Sequence, residues 1–314
     1  MTKAEAEALK VVKRYRREVD LLEDDAITSL ALSYHILTGR IREKLQELDA
    51  DDPLPLTFRY LRDVRPEIER LTVLYTREAR RSMTQLSRET AKLGVSAADA
   101  SAKKVTKGNW QKVSTAGLFT GGIFKAGREA LNRIPAAVAD RIGDLVTQAQ
   151  GMAEQGLDWL MGQIGDVFSG VWSNVQRLIR TVAEQMFRRG QQEQRKNMPV
   201  QHWRRVANHE TACLACLMLE GRIYERSEDF ADHPNGRCYI VPVEPGSPED
   251  LTGRKWLEEQ DEETQRRIMG KTRFEEWKNG NLTLDQMTDV RQDPVYGPQP
   301  HVIPLKDLGI TPIK

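Results

Sequence analysis

Every cysteine in the chain lies between positions 213 and 238, and this clustering limits what the C-terminal half can be. Cys213-Leu214-Ala215-Cys216 is followed by His233 and then Cys238, which reads C-x2-C-x16-H-x4-C. Two thiols two residues apart can turn both sulfurs toward one ion on a tight knuckle, and a second pair brought near by a hairpin completes a tetrahedron. Cys213, Cys216, His233 and Cys238 are therefore the expected metal ligands, with Pro234 fixing the turn after the histidine. Structural zinc is the expected occupant, because three thiolates and an imidazole leave no open coordination position for catalysis. The competing reading is three free thiols and a turn histidine; paired CxxC spacing favours the metal. Arg222-Ile223-Tyr224 and Tyr239-Ile240-Val241 read as short strands, predicting a β-knuckle too poor in core to stand without an ion.

The rest of the chain reads as helix. Residues 4 to 50 open with strong helix formers, Ala4-Glu5-Ala6-Glu7-Ala8-Leu9-Lys10, and continue with apolar residues at three- and four-residue spacing. Asp51-Asp52-Pro53-Leu54-Pro55 breaks that run, since proline lacks a donor and disfavours helix in the residue before it. A second helix is predicted from about Arg65 to Leu93. Gly94 to Gly127, rich in Ala, Ser, Thr and Gly, reads as a loop or loose connector. Leu157, Leu160, Ile164, Val167, Val171, Val175, Leu178, Val182 and Met186 then form one apolar stripe along a long helix. The stripe suits packing on neighbouring helices, its commonest use, or a self-association seam, since its spacing is nearly heptad. Asp158, Asp166 and Glu184 leave its polar face without the Lys/Arg enrichment of membrane-surface helices. No apolar stretch is long enough to cross a bilayer, and the first residues lack the apolar segment of a signal peptide.

The predicted fold class is therefore mainly α: a long helical N-terminal region, a small zinc-knuckle-like α+β module, and an irregular or helical tail. The expected divisions are 1–130, 131–199 with long amphipathic helices, 200–246 with the knuckle, and 247–314. Met198-Pro199 marks the main boundary.

Lys and Arg number 47 against 46 Asp and Glu, a net charge of +1, which rules out a chain that holds nucleic acid mainly by global charge. One local run departs from this balance. Arg188, Arg189, Arg195, Lys196, Arg204 and Arg205 are opposed only by Glu193. Such a run is most often a solvated helix end; contact with the phosphates of double-stranded DNA is the sharper alternative. No catalytic motif emerges. His209-Glu210-Thr211-Ala212-Cys213 has Cys where a zinc protease needs its second His, and no G-x-S-x-G elbow occurs. The expectation is a non-enzymatic protein.

Several of these residues fall into one pattern: Arg180-Thr181, Trp203, Thr211 with Cys213 and Cys216, Leu219 with Gly221, His233-Pro234-Asn235-Gly236-Arg237-Cys238, and Val241-Pro242-Val243. In this the chain resembles the bacteriophage head-morphogenesis minor head proteins, the family named after the F protein of phage Mu. The likeness covers about 177–309 and includes the tail motifs around Trp256-Leu257, Met269-Gly270 and Trp277-Lys278. Two positions depart from the family pattern. Ala212 is an extra residue before the first Cys, and Gly236 stands where the family has the first Cys of His-Pro-Asn-Cys-Arg-Cys. The resemblance implies a virion component inside the capsid at the portal vertex, assembled in the host cytoplasm. It would bind the portal protein through residues 1–130, meet capsid or scaffold proteins, and take part in procapsid assembly and in DNA packaging or ejection.

Overall fold

The computed structural model describes residues 1–48, 54–119, 123–152, 155–230, 232–234, 236–250, 252–294 and 297–313. The fold is mainly helical, with small sheets toward the C-terminus, from His202 onward among the described residues. Among the described residues, no helix is long and apolar enough to cross a membrane.

Helix α1 (Lys3–Gln46) begins at a reciprocal cap. The backbone N–H of Glu5 donates to the Thr2 hydroxyl at 3.2 Å, and the Thr2 N–H donates to the Glu5 carboxylate at 3.0 Å. This Thr-x-x-Glu exchange satisfies two donors that a helix start leaves open. The predicted break at Asp51-Asp52-Pro53 lies outside the described residues. Helix resumes after Pro55 as α2 (Leu56–Arg59), a π-helical turn (Tyr60–Val64) and α3 (Arg65–Val105) in one continuous path. Pro66 has no N–H for the carbonyl four residues earlier, and the π turn directly before it takes up the misfit. Helices α4 (Ile123–Gln150, with Pro135 inside it) and α5 (Gly156–Lys196) complete the helical part.

Helix α3 runs twelve residues beyond Leu93, so the connector expected from Gly94 to Gly127 is shorter than its composition implied. The small residues there serve helix packing. A Cβ added to Gly94 would overlap the Phe187 carbonyl, and one added to Gly190 would overlap the Ala91 carbonyl. The two glycines therefore let the backbones of α3 and α5 touch, and Ala97, Ala98 and Ala102 are fully buried beside them. A loop-like composition here encodes a close helix crossing.

The chain forms two compact units, neither continuous in sequence. One comprises residues 20–89 and 119–183, and the other 1–19, 90–118 and 184–314. The border near 183/184 falls within α5, so that helix contributes to both units.

The first unit is all helix. Leu30 and Ile41 of α1, Ile68 and Met83 of α3, Leu131 and Ile142 of α4, and Leu160 and Ile164 of α5 make its buried core. Tyr60 donates from its hydroxyl to the Ala139 carbonyl at 2.6 Å. The apolar stripe of α5 faces inward at Leu160, Ile164, Val175, Val182 and Met186. Its other members, Leu157, Val167, Val171 and Leu178, are only half-buried, and Phe168 and Ile179 take the inner places. The buried line is thus rotated by about one residue from the spacing-based reading, and its inner residues are covered within the chain itself.

The second unit carries the sheets. After α5 come β1 (His202–Val206), α6 (Leu214–Met218), β2 (Ile223–Glu225) and β3 (Tyr239–Pro242). Strand β1 is central in the antiparallel order β2-β1-β3, pairing Trp203 with Tyr224 on one side and with Pro242 on the other. Helices α7 (Thr252–Glu258), α8 (Glu262–Met269) and α9 (Lys271–Lys278) follow, and then an antiparallel hairpin of β4 (Thr288–Asp293) and β5 (Gly297–Val302). Strands β2 and β3 fall where the sequence placed them. Strand β1 was not expected, because His202-Trp203-Arg204-Arg205 reads as a basic run, and Pro298 and Pro300 hid β5. Strand β5 pairs on one side only, where proline's missing donor does no harm. Leu214, Cys216, Leu217 and Cys238 share one core with Leu257, Met269, Phe274 and Met287, so the expected division at 246/247 is bridged by a common core.

The close helix crossing gives a direct test. Gly190→Leu should lower the stability of the full chain by about 1–3 kcal/mol, the usual cost of overpacking a tight contact, as read by chemical denaturation. Unchanged stability would mean that the α3–α5 contact is not tight.

Candidate metal centre

The candidate ligands come from three places in the second unit. Cys213 is the extended N-cap residue of α6 (φ −79°, ψ 167°), and Cys216 lies on the same short helix. His233 sits in the loop between β2 and β3, and Cys238 directly precedes β3. The loop is tied down by its backbone. Asp232 N–H donates to the Pro298 carbonyl of β5 at 3.1 Å, and Gly236 N–H donates to the His233 carbonyl at 2.9 Å.

These ties deliver the imidazole to the sulfurs. His233 Nε2 lies 3.4 Å from Cys213 Sγ and 3.2 Å from Cys216 Sγ. On the other side of the ring, Nδ1 is 2.9 Å from the Pro234 carbonyl, which can only accept, so the proton belongs on Nδ1 and Nε2 is left to ligate. The His233 N–H donates to Asp232 Oδ1 at 2.9 Å. The donor atoms form two overlapping trios, Cys213/Cys216/His233 and Cys216/Asp232/Cys238, each within 4.8 Å. Cys216 belongs to both trios. All four sequence-predicted ligands are thus in one small region, and this cluster can bind a metal ion.

The environment is charged although it is buried. Arg205 is fully buried and donates to Cys216 Sγ at 3.2 Å. Burial opposes its charge, but the Cys238, Cys216 and Asp232 groups more than offset this and hold its guanidinium well above the usual range. The hydrogen bond with Cys216 pulls the Cys213 thiol down to about 7 despite burial. Burial works against a charged His233, yet its hydrogen bond with Cys216 and the charge of that sulfur lift it to about 9. Cys238 is pushed well up, first by its hydrogen bond with Cys216 and then by burial.

Gly236 has a spatial reason. A side chain there would run into the Asp232 carboxylate, which fills the space beside the sulfurs. Asp232 and Arg205 were not picked out as site residues from the sequence. The one available signal for Arg205 was the period of two in β1, which places it on the same face as the fully buried Trp203.

The basic run is dispersed by the fold. Arg188 bonds Glu184 at 2.7 Å, the Gly236 carbonyl at 2.9 Å, and Asp232. Arg195 donates to the carbonyls of Glu225 and Glu228 and lies over the Trp203 ring. Arg204 donates to the Pro248 carbonyl at 3.0 Å. Together with Arg205 these four are buried, with their guanidinium groups turned to protein carbonyls, carboxylates and sulfur. Arg189 is half-buried, and the exposed Lys196 pairs with Glu193 at 2.7 Å. His209, of the protease-like string, meets Glu220 at 2.6 Å and stacks on Trp256, with the ring centroids 4.2 Å apart.

Comparison with protein-family models, with curated proteins and with solved structures finds no match to this chain.

Proposed function

We propose that this chain is a minor head protein of bacteriophage head morphogenesis, a non-catalytic virion component that binds the portal protein, and that Cys213, Cys216, His233 and Cys238 hold a structural zinc ion. One observation carries the reading: residues of the resemblance pattern, well separated along the chain, belong to one module. Trp203 lies fully buried in the central strand, Pro242 is its strand partner, and Cys213, Cys216 and His233 meet beside that strand. Arg180 and Thr181, at the far end of the pattern, lie on α5, the helix that leads into the module.

The donor set supports zinc. Sulfur with imidazole suits this ion, and the partly to fully buried ligands favour a closed structural site. Bound there, zinc would supply a cross-link between α6, the His233 loop and the start of β3. The chain's own residues prepare that role: the Pro234 carbonyl accepts from the Nδ1–H, and Asp232 fixes the backbone next to the ring. The long helices suit docking on a larger assembly. Residues 1–19 and 90–118, within the segment expected to dock, share a unit with the candidate ligands.

Three measurements test the reading. The purified full chain should carry about one zinc per molecule by elemental analysis, and Cys216→Ser should lose it together with a large drop in melting temperature; a metal-free chain whose melting curve ignores chelators would refute the zinc. Binding should also depend on pH. The protons on Cys238 and on His233 (the latter held to about 9) must leave before the ion can bind, and Cys213 retains its own below about 7. Apparent zinc affinity should therefore rise from about pH 6 to about pH 9, with proton release visible as a buffer-dependent heat in calorimetry. A flat profile would argue against thiolate and imidazole ligation. Finally, the full chain should co-purify with the portal protein of the same virus, at a few copies per portal ring; failure to associate would remove the minor head reading.

A further inference from the structure

Arg205 stands at the end of a line of buried ions. Arg16 on α1 pairs with Glu184 on α5, and Glu184 also holds Arg188 one turn further along the helix. Arg188 pairs with Asp232, and Asp232 Oδ1 lies 3.7 Å from the Arg205 guanidinium. All five side chains are 10% exposed or less. The signs alternate along the line, and Asp232 is shared between two guanidinium groups, with Arg188 the closer. Phe230, with its ring centroid 5.3 Å from Arg188 and 4.7 Å from Arg205, attracts both but carries no charge.

A buried cation is strongly unfavourable unless opposite charge meets it. Besides Asp232, the ionisable groups that act on Arg205 include the Cys238, Cys216 and Cys213 sulfurs and the Tyr224 hydroxyl. Its guanidinium is 3.2 Å from Cys216 Sγ. A divalent ion on three thiolates and one neutral imidazole carries a net charge of minus one, which a single guanidinium matches. A monovalent ion on the same ligands would carry minus two, and so would a divalent ion on four thiolates. The chain has three cysteines, so it supplies no fourth thiolate.

We propose that Arg205 is the charge partner of the metal centre, selecting a divalent ion held by three thiolates and one neutral imidazole. The proposal rests on the metal reading above and adds a residue that reading did not include. The N–H donated to Cys216 also withdraws electron density from that sulfur.

The test titrates zinc and cobalt(II) into the metal-free full chain against a chromophoric chelator, using Arg205→Met and Asp232→Asn. Arg205→Met removes the charge at similar length. Zinc should bind about 10–100-fold more weakly, the usual effect of losing a partner of the ligands. The cobalt–thiolate charge-transfer band should move to lower energy, because the sulfur has lost its donor. Asp232→Asn keeps an acceptor for the His233 N–H but removes one negative charge, so zinc should bind equally well or more tightly. A purely architectural role for the ion line predicts weaker binding in both variants. Equal zinc affinity in wild type and Arg205→Met overturns the proposal while leaving the metal site intact, and so does an Asp232→Asn loss as large as that of Arg205→Met. If Arg205→Met does not fold, the sign of the Asp232→Asn change decides. A wild-type chain that binds neither ion removes the metal reading itself, and this inference falls with it.

Discussion

Charge withdrawn from water has to be answered inside the protein, and the unit that carries the metal cluster is organised by that demand. Arg16, Glu184, Arg188, Asp232 and Arg205 come from α1, α5, the His233 loop and β1, and each is buried against an ion of opposite sign. None of these elements could shift without stranding a charge. The carboxylate of Glu5 makes a similar tie at the start of α1, accepting the Ser247 hydroxyl at 2.9 Å and lying 3.8 Å from Arg204. Segments more than two hundred residues apart in sequence are joined by single polar groups.

The cluster of sulfurs and imidazole depends on the same frame. Asp232 pairs with Arg188, accepts the His233 N–H and fills the space that a side chain at 236 would need. One carboxylate therefore anchors the loop, orients the backbone of a candidate ligand and excludes an alternative ligand position. Cys216 is similarly shared, in contact with His233, with Arg205 and with the second trio of donors. The four cysteine and histidine positions gain their geometry from neighbours such as Arg205 and Asp232, the latter itself a carboxylate donor of the second trio.

Much of this was legible in the residues. Helices α1, α4 and α5 follow from periodicity and strong helix formers, and β2 and β3 from short apolar runs bounded by turns. The Cys/His spacing alone points to the candidate centre, because ligand pairs three and five positions apart lie close whatever the surrounding fold. Other features were hidden for identifiable reasons. Gly94 looked like a chain breaker because local propensity is blind to a neighbour's backbone, and the crossing with Gly190 reverses its meaning. Arg204 and Arg205 looked like surface charge because a count of charges does not record that they lie on a central strand buried on both faces. Strand β5 was concealed by prolines that only an edge position makes acceptable.

The sequence by itself determined most of the helical stretches, that no helix among the described residues is long and apolar enough to cross a membrane, and that cysteine and histidine donors gather near the C-terminal third. These depend on local chemistry and on spacing along the chain. Only the tertiary structure decided that the units are discontinuous, that Arg188, Arg195, Arg204 and Arg205 are internal, and that Asp232 and Arg205 border the candidate centre. The reason is physical: burial and ion pairing are properties of neighbours in space, and here those neighbours come from α1, α5, β1 and a loop far apart in sequence.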